Sequence, residues 1–289
     1  MKQKNLQRLF ILAACIGSFS ANAQTSSGKL SLTKGQKLQV DNTAKTVTSM
    51  EMMGQSMEIT SDIVMLKQVE VKDKKDTSYT IVSTITKMTT NGSAMGQIFA
   101  YDSDKKEDSA SEIARALKGQ VNVPQEIEVN YKGNVSGTKK DVAKDADGGN
   151  PMMEMMKSMN GSGPDGNNPA ADAFQVLPSG KKAGDTWNDS TIAEGIKTYR
   201  TYTMKTLQGN EATVTLTGKQ QTNKTVENQG MEVNVTMEAK LSGEAVVDIA
   251  TGIVKQKTLT VEGTGNADAM GQSIPMTTKV TTVTTVKSL

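Results

Sequence analysis

Residues 231–241 read Met-Glu-Val-Asn-Val-Thr-Met-Glu-Ala-Lys-Leu, and this stretch decides the fold. Met231, Val233, Val235, Met237, Ala239 and Leu241 alternate without a break with Glu232, Asn234, Thr236, Glu238 and Lys240. Strict period two puts the apolar side chains on one face of a β-strand and the polar ones on the other, as an antiparallel sheet with one dry face requires. At about 3.4 Å per residue the stretch spans roughly 37 Å, about twice the common strand length. Working outward, Ala212, Val214 and Leu216 repeat the pattern between threonines. Val121, Val123, Ile127, Val129 and Tyr131 repeat it again, with Pro124 marking an edge or a bulge. Met57, Ile59, Ile63 and Met65 share one phase, with Ser61 as its small member.

Turn signals punctuate these runs at Asp73-Lys74-Lys75-Asp76, Asn91-Gly92, Gln208-Gly209-Asn210 and Thr251-Gly252. One helix is expected, capped by Ser109 with Glu112 at capping-box spacing, striped by Ile113, Ala116 and Leu117, and stopped at Gly119. Residues 145–172 shift to Gly, Asn, Pro, Asp and Met, a composition too poor in apolar side chains to order itself and suited to a linker. The fold class is therefore mainly β. Two antiparallel, curved, half-barrel-like sheets are expected over residues 30–131 and 174–289, within an N-terminal β unit (24–144) and a C-terminal β unit (173–289). The two halves echo one another. Lys34-Gly35-Gln36 opens the first and Ala183-Gly184-Asp185 the second, and Met-Gly-Gln recurs at Met53, Met95 and Met270.

The first 23 residues have the form of a signal peptide. Lys2, Lys4 and Arg8 precede an apolar run from Leu9 to Ile16, and Ala21-Asn22-Ala23 supplies a small-x-small site with cleavage between Ala23 and Gln24. Leu12-Ala13-Ala14-Cys15 also fits a lipoprotein site that would acylate Cys15, but its apolar run is short for that. No other segment approaches the ~20 apolar residues of a membrane-spanning helix. Cleavage removes three basic residues and turns the net charge of +2 into about −1. With that balance, 3% aromatic residues and no basic stripe, nucleic acid is not an expected partner. The chain has no histidine, and its single cysteine lies in the signal. Neither a His-assisted nucleophile nor the usual zinc site can then be built, and neither an enzyme nor a cofactor is implied.

With the Lys-Gly opener, the Met-Gly-Gln hairpins, Asp248 leading into the turn at Gly252 and a Thr/Val-rich last strand, the chain resembles a family of exported bacterial proteins of unknown function. The similarity runs from about Leu30 to Leu289 and is carried by structural motifs; it implies no catalytic residues. More loosely, long amphipathic strands behind a signal peptide look like the curved sheets of periplasmic lipoprotein carriers.

The 18 methionines are the unusual feature of the composition. On strands they serve either as flexible core filling or as an adaptable apolar groove. The candidate ligand face comprises Met57, Ile59, Ile63 and Met65 with Met231, Val233, Val235 and Met237. Met152, Met153, Met155, Met156 and Met159 offer a third possibility, thioether ligation of Cu(I). Two acidic clusters, Asp102 with Asp104, Glu107 and Asp108, and Asp145 with Asp147, lack the spacing of a calcium loop. Asp108-Ser109-Ala110 and Asp189-Ser190-Thr191 are similar to an O-glycosylation acceptor of some exported bacterial proteins. An outer-membrane barrel is disfavoured by the few aromatics and Thr-rich outer faces. The sequence thus points to an exported, periplasmic or secreted, non-enzymatic protein of the cell envelope. It binds or carries an apolar ligand such as lipid; alternatively, it is a structural or interaction protein with no ligand.

Overall fold

A computed structural model describes residues 26–52, 54–94, 96–105, 120–138, 172–193, 195–228, 231–269 and 271–289. The strands are β1 (Lys37–Met52), β2 (Gln55–Lys74), β3 (Ser78–Ala94), β4 (Gln97–Asp102), β5 (Gln125–Asn130) and β6 (Val135–Thr138), then β7 (Thr186–Ala193), β8 (Ile196–Gln208), β9 (Glu211–Asn228), β10 (Met231–Asp248), β11 (Val254–Ala269) and β12 (Gln272–Ser288). They form one antiparallel sheet in the order β6-β5-β3-β2-β1-β12-β11-β10-β9-β8-β7, with β4 on β3 beside β5. The expectation of two sheets is corrected here. The first strand pairs with the last, from Leu38 opposite Ser288 to Met50 opposite Met276, and this ladder fuses the halves into a single surface. The alternating run at 231–241 is the first part of an 18-residue strand. The helix expected after Ser109 and the linker up to Ala171 lie outside the described residues.

The sheet is rolled. Leu30 donates its amide to the Tyr131 carbonyl (2.7 Å) and Ser31 donates to Thr251 (2.9 Å), just beyond β5 and just before β11. Four strands separate β5 from β11. A flat sheet would hold those sites about 24 Å apart at ~4.8 Å per strand, whereas consecutive residues sit ~3.8 Å apart. That rim must therefore curl almost into a ring. At the two ends of the strand order, β6 and β7 do not pair, so the sheet stays open.

Glycines on the inward face permit the curvature. A Cβ on Gly92, Gly218, Gly243 or Gly265 would lie 2.0–2.5 Å from a carbonyl oxygen of the adjacent strand (Thr60, Tyr199, Thr258 and Thr236 respectively). Only a residue without a side chain lets the strands approach and coil this closely. This explains why Asn91-Gly92 is not the turn its sequence suggests. It continues β3, and Gly92 makes room for the Phe99 ring of β4, 2.4 Å from where a Cβ would stand.

Two non-strand segments plug the curled rim. Residues 26–36 bring Leu30 and Leu32 inside, where the Tyr79 hydroxyl accepts from the Leu32 amide (3.2 Å) and donates to the Leu30 carbonyl (3.1 Å). Residues 172–178 run beside them, with Phe174 bridging Ile253. Around this plug Leu38, Val40, Val69, Val71, Ile81, Val214 and Val247 close the main core.

The echo between the halves is also geometric. Gly35 donates to Val71 (2.8 Å) and Val71 to Gln36 (2.9 Å); Gly184 donates to Met204 (2.8 Å) and Met204 to Asp185 (2.9 Å). The Gln36 side chain accepts from the Thr33 amide and the Asp185 side chain from the Lys182 amide, both at 3.0 Å. Each opener needs its glycine at positive φ, 83° for Gly35 and 90° for Gly184. In both units a β-bulge follows immediately, after Val71 and after Met204.

The glycine constraint is testable. Gly265→Ala forces a Cβ against backbone atoms of β10, 2.0 Å from the Thr236 oxygen and 2.7 Å from the Met237 Cα. It should cost about 1–3 kcal/mol in thermal or urea unfolding. Gly263→Ala first meets the movable Met237 sulfur at 2.8 Å and should cost less.

Candidate functional site

The inward face of the roll is layered. At the plugged rim lies the main core. Toward the opposite rim Met50, Ile59, Ala94, Ala267 and Met276 form a second apolar cluster, flanked by half-buried Phe99, Val233, Val235 and Ile274. Between the two runs a belt of buried polar side chains. Thr48 (0% exposed) faces Thr278 across the β1–β12 seam, with their hydroxyls 3.0 Å apart. The Asn42 amide donates to Thr284 (3.0 Å) and to Asp172 of the plug (3.2 Å). Ser61 Oγ, Thr90 Oγ1 and Gln220 Oε1 are buried in the belt with no hydrogen-bond partner. An unpaired buried polar atom forfeits about 1–3 kcal/mol.

Two cations stand in this belt at equivalent places of the repeated unit. Lys67 lies four residues before Val71 and Arg200 four before Met204, each inward and four residues ahead of the bulge at its clamp, while Lys67 also directly follows a bulge at Leu66. The Lys67 ammonium lies 3.4 Å from Asp172. The Arg200 guanidinium, only 2% exposed, meets Asp189 of β7 at 3.1 Å and donates to the Thr191 hydroxyl at 3.2 Å. Lys224 and Lys257 also occupy inward positions, by their registers with Val235 and Ala245. Among the described inward strand positions short of the rims, Asp189 is the one carboxylate; the plug adds Asp172. The convex face is different. There charges pair across strands, as where Lys279, 2.7 Å from Glu262, holds that carboxyl below its usual range mainly by hydrogen bonding.

The residues expected to form a ligand face do point inward. Met57, Ile59, Ile63 and Met65 do so from β2, and Val233, Val235 and Met237 from β10; β1, β12 and β11 lie between these two strands. Ile59, Val233 and Val235 join one cluster, but Met65 packs elsewhere, with Met88 and Tyr101. The side chain of Met231 is outside the described residues, although its backbone pairs with Asn228. Met237 lies over Gly263, which leaves space for its sulfur. Beside Gln175, Arg200, Gly243 and Lys257 is a cavity of about 20 Å³, room for a single water.

Several other candidates resolve simply. Asp102 accepts from the Asp104 amide (3.0 Å) in the turn after β4, and Asp104 pairs with Lys87. Among the described residues no group of three His, Cys, Asp or Glu side chains could hold a metal. Ser190 faces outward and exposed on edge strand β7, while its motif partners Asp189 and Thr191 are held by Arg200. Cys15, Ala23, Gln24, Ser109, Asp145 and the methionines from Met152 to Met159 lie outside the described residues. Sequence reasoning missed Lys67 and Arg200. The available signal was the pair of inward cations each followed at four residues by a large apolar side chain, Lys67 to Val71 and Arg200 to Met204.

The model of a family of unknown function (DUF6263) matches residues 76–254, more than half of the 289-residue chain. The chain belongs to that family. No curated protein matches this DUF6263 chain. Among solved structures it is similar to one described as lipid-protein interactions in lipovitellin, at a TM-score of 0.51 and 10% identity, over 89% of this chain and 25% of that one. The likeness shows shared sheet architecture, and the chain spans a quarter of lipovitellin. An outer membrane channel from Pseudomonas putida F1 matches over 89% of this chain and 97% of its own, with 10% identity and a TM-score of 0.24. Pseudomonas aeruginosa OpdQ matches over 89% and 100%, with 8% identity and a TM-score of 0.22. These two carry no argument about the fold.

The plug contact is open to measurement. Asp172→Asn removes the carboxylate beside Lys67, and the loss should be about 1–3 kcal/mol, below the ~3–5 kcal/mol of a fully buried pair because Asp172 is 31% exposed. Lys67→Met should restore much of that loss in the double variant, measured by urea unfolding.

Proposed function

We propose that this DUF6263 protein is an exported, non-enzymatic binding or carrier protein of the cell envelope that takes an apolar ligand against the concave face of its sheet. The observation that carries the reading is the apolar cluster at the rim opposite the described plug. Met57, Phe99, Val233, Val235, Met237 and Ile274 are all half-buried there, around Met50, Ile59 and Met276. Half-exposed thioethers and β-branched side chains on a concave wall adapt to ligands of varied shape. Lipid is the class we favour, and the lipovitellin-like architecture is in keeping with it. One observation favours the rival, a structural or interaction protein without ligand: the cavity beside Arg200 and Lys257 has a volume of only about 20 Å³.

Native extraction of the purified protein, with mass spectrometry of whatever copurifies, separates the two readings. Copurifying lipid and binding of a dye that fluoresces in apolar surroundings support the carrier; the absence of both supports the structural protein. Met237→Ala sharpens the outcome. In a filled core it should cost about 2–5 kcal/mol. In a ligand wall the apo protein should lose less than that, while dye retention falls.

A further inference from the structure

We infer that the rim opposite the plug carries a thioether site for a soft monovalent metal ion, Cu(I), with the sulfurs of Met50, Met57 and Met276 as its donors. This goes beyond the apolar-ligand reading and holds with or without it. The sheet register sets the site out. Met50 of β1 stands directly opposite Met57 of β2 on one side and Met276 of β12 on the other, so the three occupy consecutive places in one cross-strand rank of the inward face. Directly opposite residues hold their Cβ atoms about 4.5–5.5 Å apart. Each sulfur lies beyond its Cβ on an unbranched, freely rotating side chain. On a concave wall, where side chains of neighbouring strands lean together, these sulfurs can close on a single ion.

Donor chemistry singles out the metal. Thioethers are neutral and soft and select Cu(I), whereas Zn(II) sites are built from thiolate, imidazole or carboxylate. The chain has no histidine and its one cysteine is Cys15, so methionine supplies the remaining soft donors. Ile59, Ala94, Ala267 and Ile274 pack around the rank as an apolar shell. Such a shell limits the access of water to a bound ion.

Packing makes this rank different from the other methionines. Met50 and Met276 are buried, each 7% exposed, while Met57 is half-buried and gives the ion a way in from solvent. The next place in the rank is Gly265, and Met237 beyond it lays its sulfur over Gly263 instead. Met65 and Met88 stand opposite one another on β2 and β3, but they offer only a pair of sulfurs and pack with Tyr101. The site is also separate from Met152–Met159, where the sequence alone suggested Cu(I).

The test uses the full-length chain with Cys15→Ser, which removes its one thiol, and Ag(I) as a redox-inert probe of the Cu(I) site in chloride-free buffer. Ag(I) at about 100-fold over its Kd should raise the melting temperature by about 5 °C or more, and Zn(II) should not. The triple variant Met50→Leu, Met57→Leu, Met276→Leu keeps the size and apolarity of the rank while removing its sulfurs. Its ion-free melting temperature should stay near the parent's, and the rise with Ag(I) should vanish. Met57→Leu alone, at the half-buried position, should weaken Ag(I) binding about ten-fold or more, and it carries the test if the triple variant does not fold. Leucine at Met65 and Met88 together, or at Met152, Met153, Met155, Met156 and Met159 together, should leave the rise in place. The site is overturned by no rise in the parent, by an equal rise with Zn(II), by a full rise in the rank variants, or by a rise lost on replacing the other methionines.

Discussion

The close approach of strand backbones at inward glycines is the constraint on which the rest of the molecule depends. Strands of 16 to 20 residues laid side by side favour a gently twisted ribbon, not a roll. Where Gly92, Gly218, Gly243 and Gly265 stand, the neighbouring carbonyl occupies the space of a side chain, and the sheet can coil tightly. Once it coils, the rim of β5 comes near the turn before β11, and two short segments suffice to hold it. The main core, the belt and the apolar far rim are consequences of that bend, because a flat sheet of this sequence would leave its apolar face in water.

Much of the architecture was legible in the sequence. Period-two alternation at 231–241 and 212–216 reports the inward face directly, and the Met-Gly-Gln and Thr251-Gly252 turns lie where hairpin chemistry puts them. What was not legible is connection over distance. Nothing local in Lys37–Met52 says that it pairs with Gln272–Ser288, so one sheet read as two. Asn91-Gly92 has turn chemistry in isolation, but tertiary approach of Phe99 uses the missing side chain instead. Of the site, the apolar members were readable from phase alone. Lys67 and Arg200 were not, because a cation within a polar-apolar alternation looks like a solvated residue until the sheet is rolled.

The repeated opener gives those cations a common origin in geometry. A glycine turn, a two-bond clamp to the second strand and a bulge recur in both halves, and each unit places a cation four residues ahead of its clamp. The neighbours differ. Lys67 looks toward the plug and Asp172, whereas Arg200 is tied to the free edge at β7. One copy is tied into the plug, and the other into the terminal strand of the sheet order.

The seam between the first and last strands has a kinetic consequence. β1 and β12 are neighbours at the middle of the sheet, yet Leu38 meets Ser288 across almost the whole chain. Local hairpins such as β1–β2 and β10–β11 can form early, but joining them requires closure of a very long loop, which makes this step slow. Until the final 17-residue strand is free to dock, both halves present unpaired edges in the centre of the future sheet. Until Gln272–Ser288 docks, the sheet stays incompletely formed, and during that interval its central edges are exposed to edge-to-edge association.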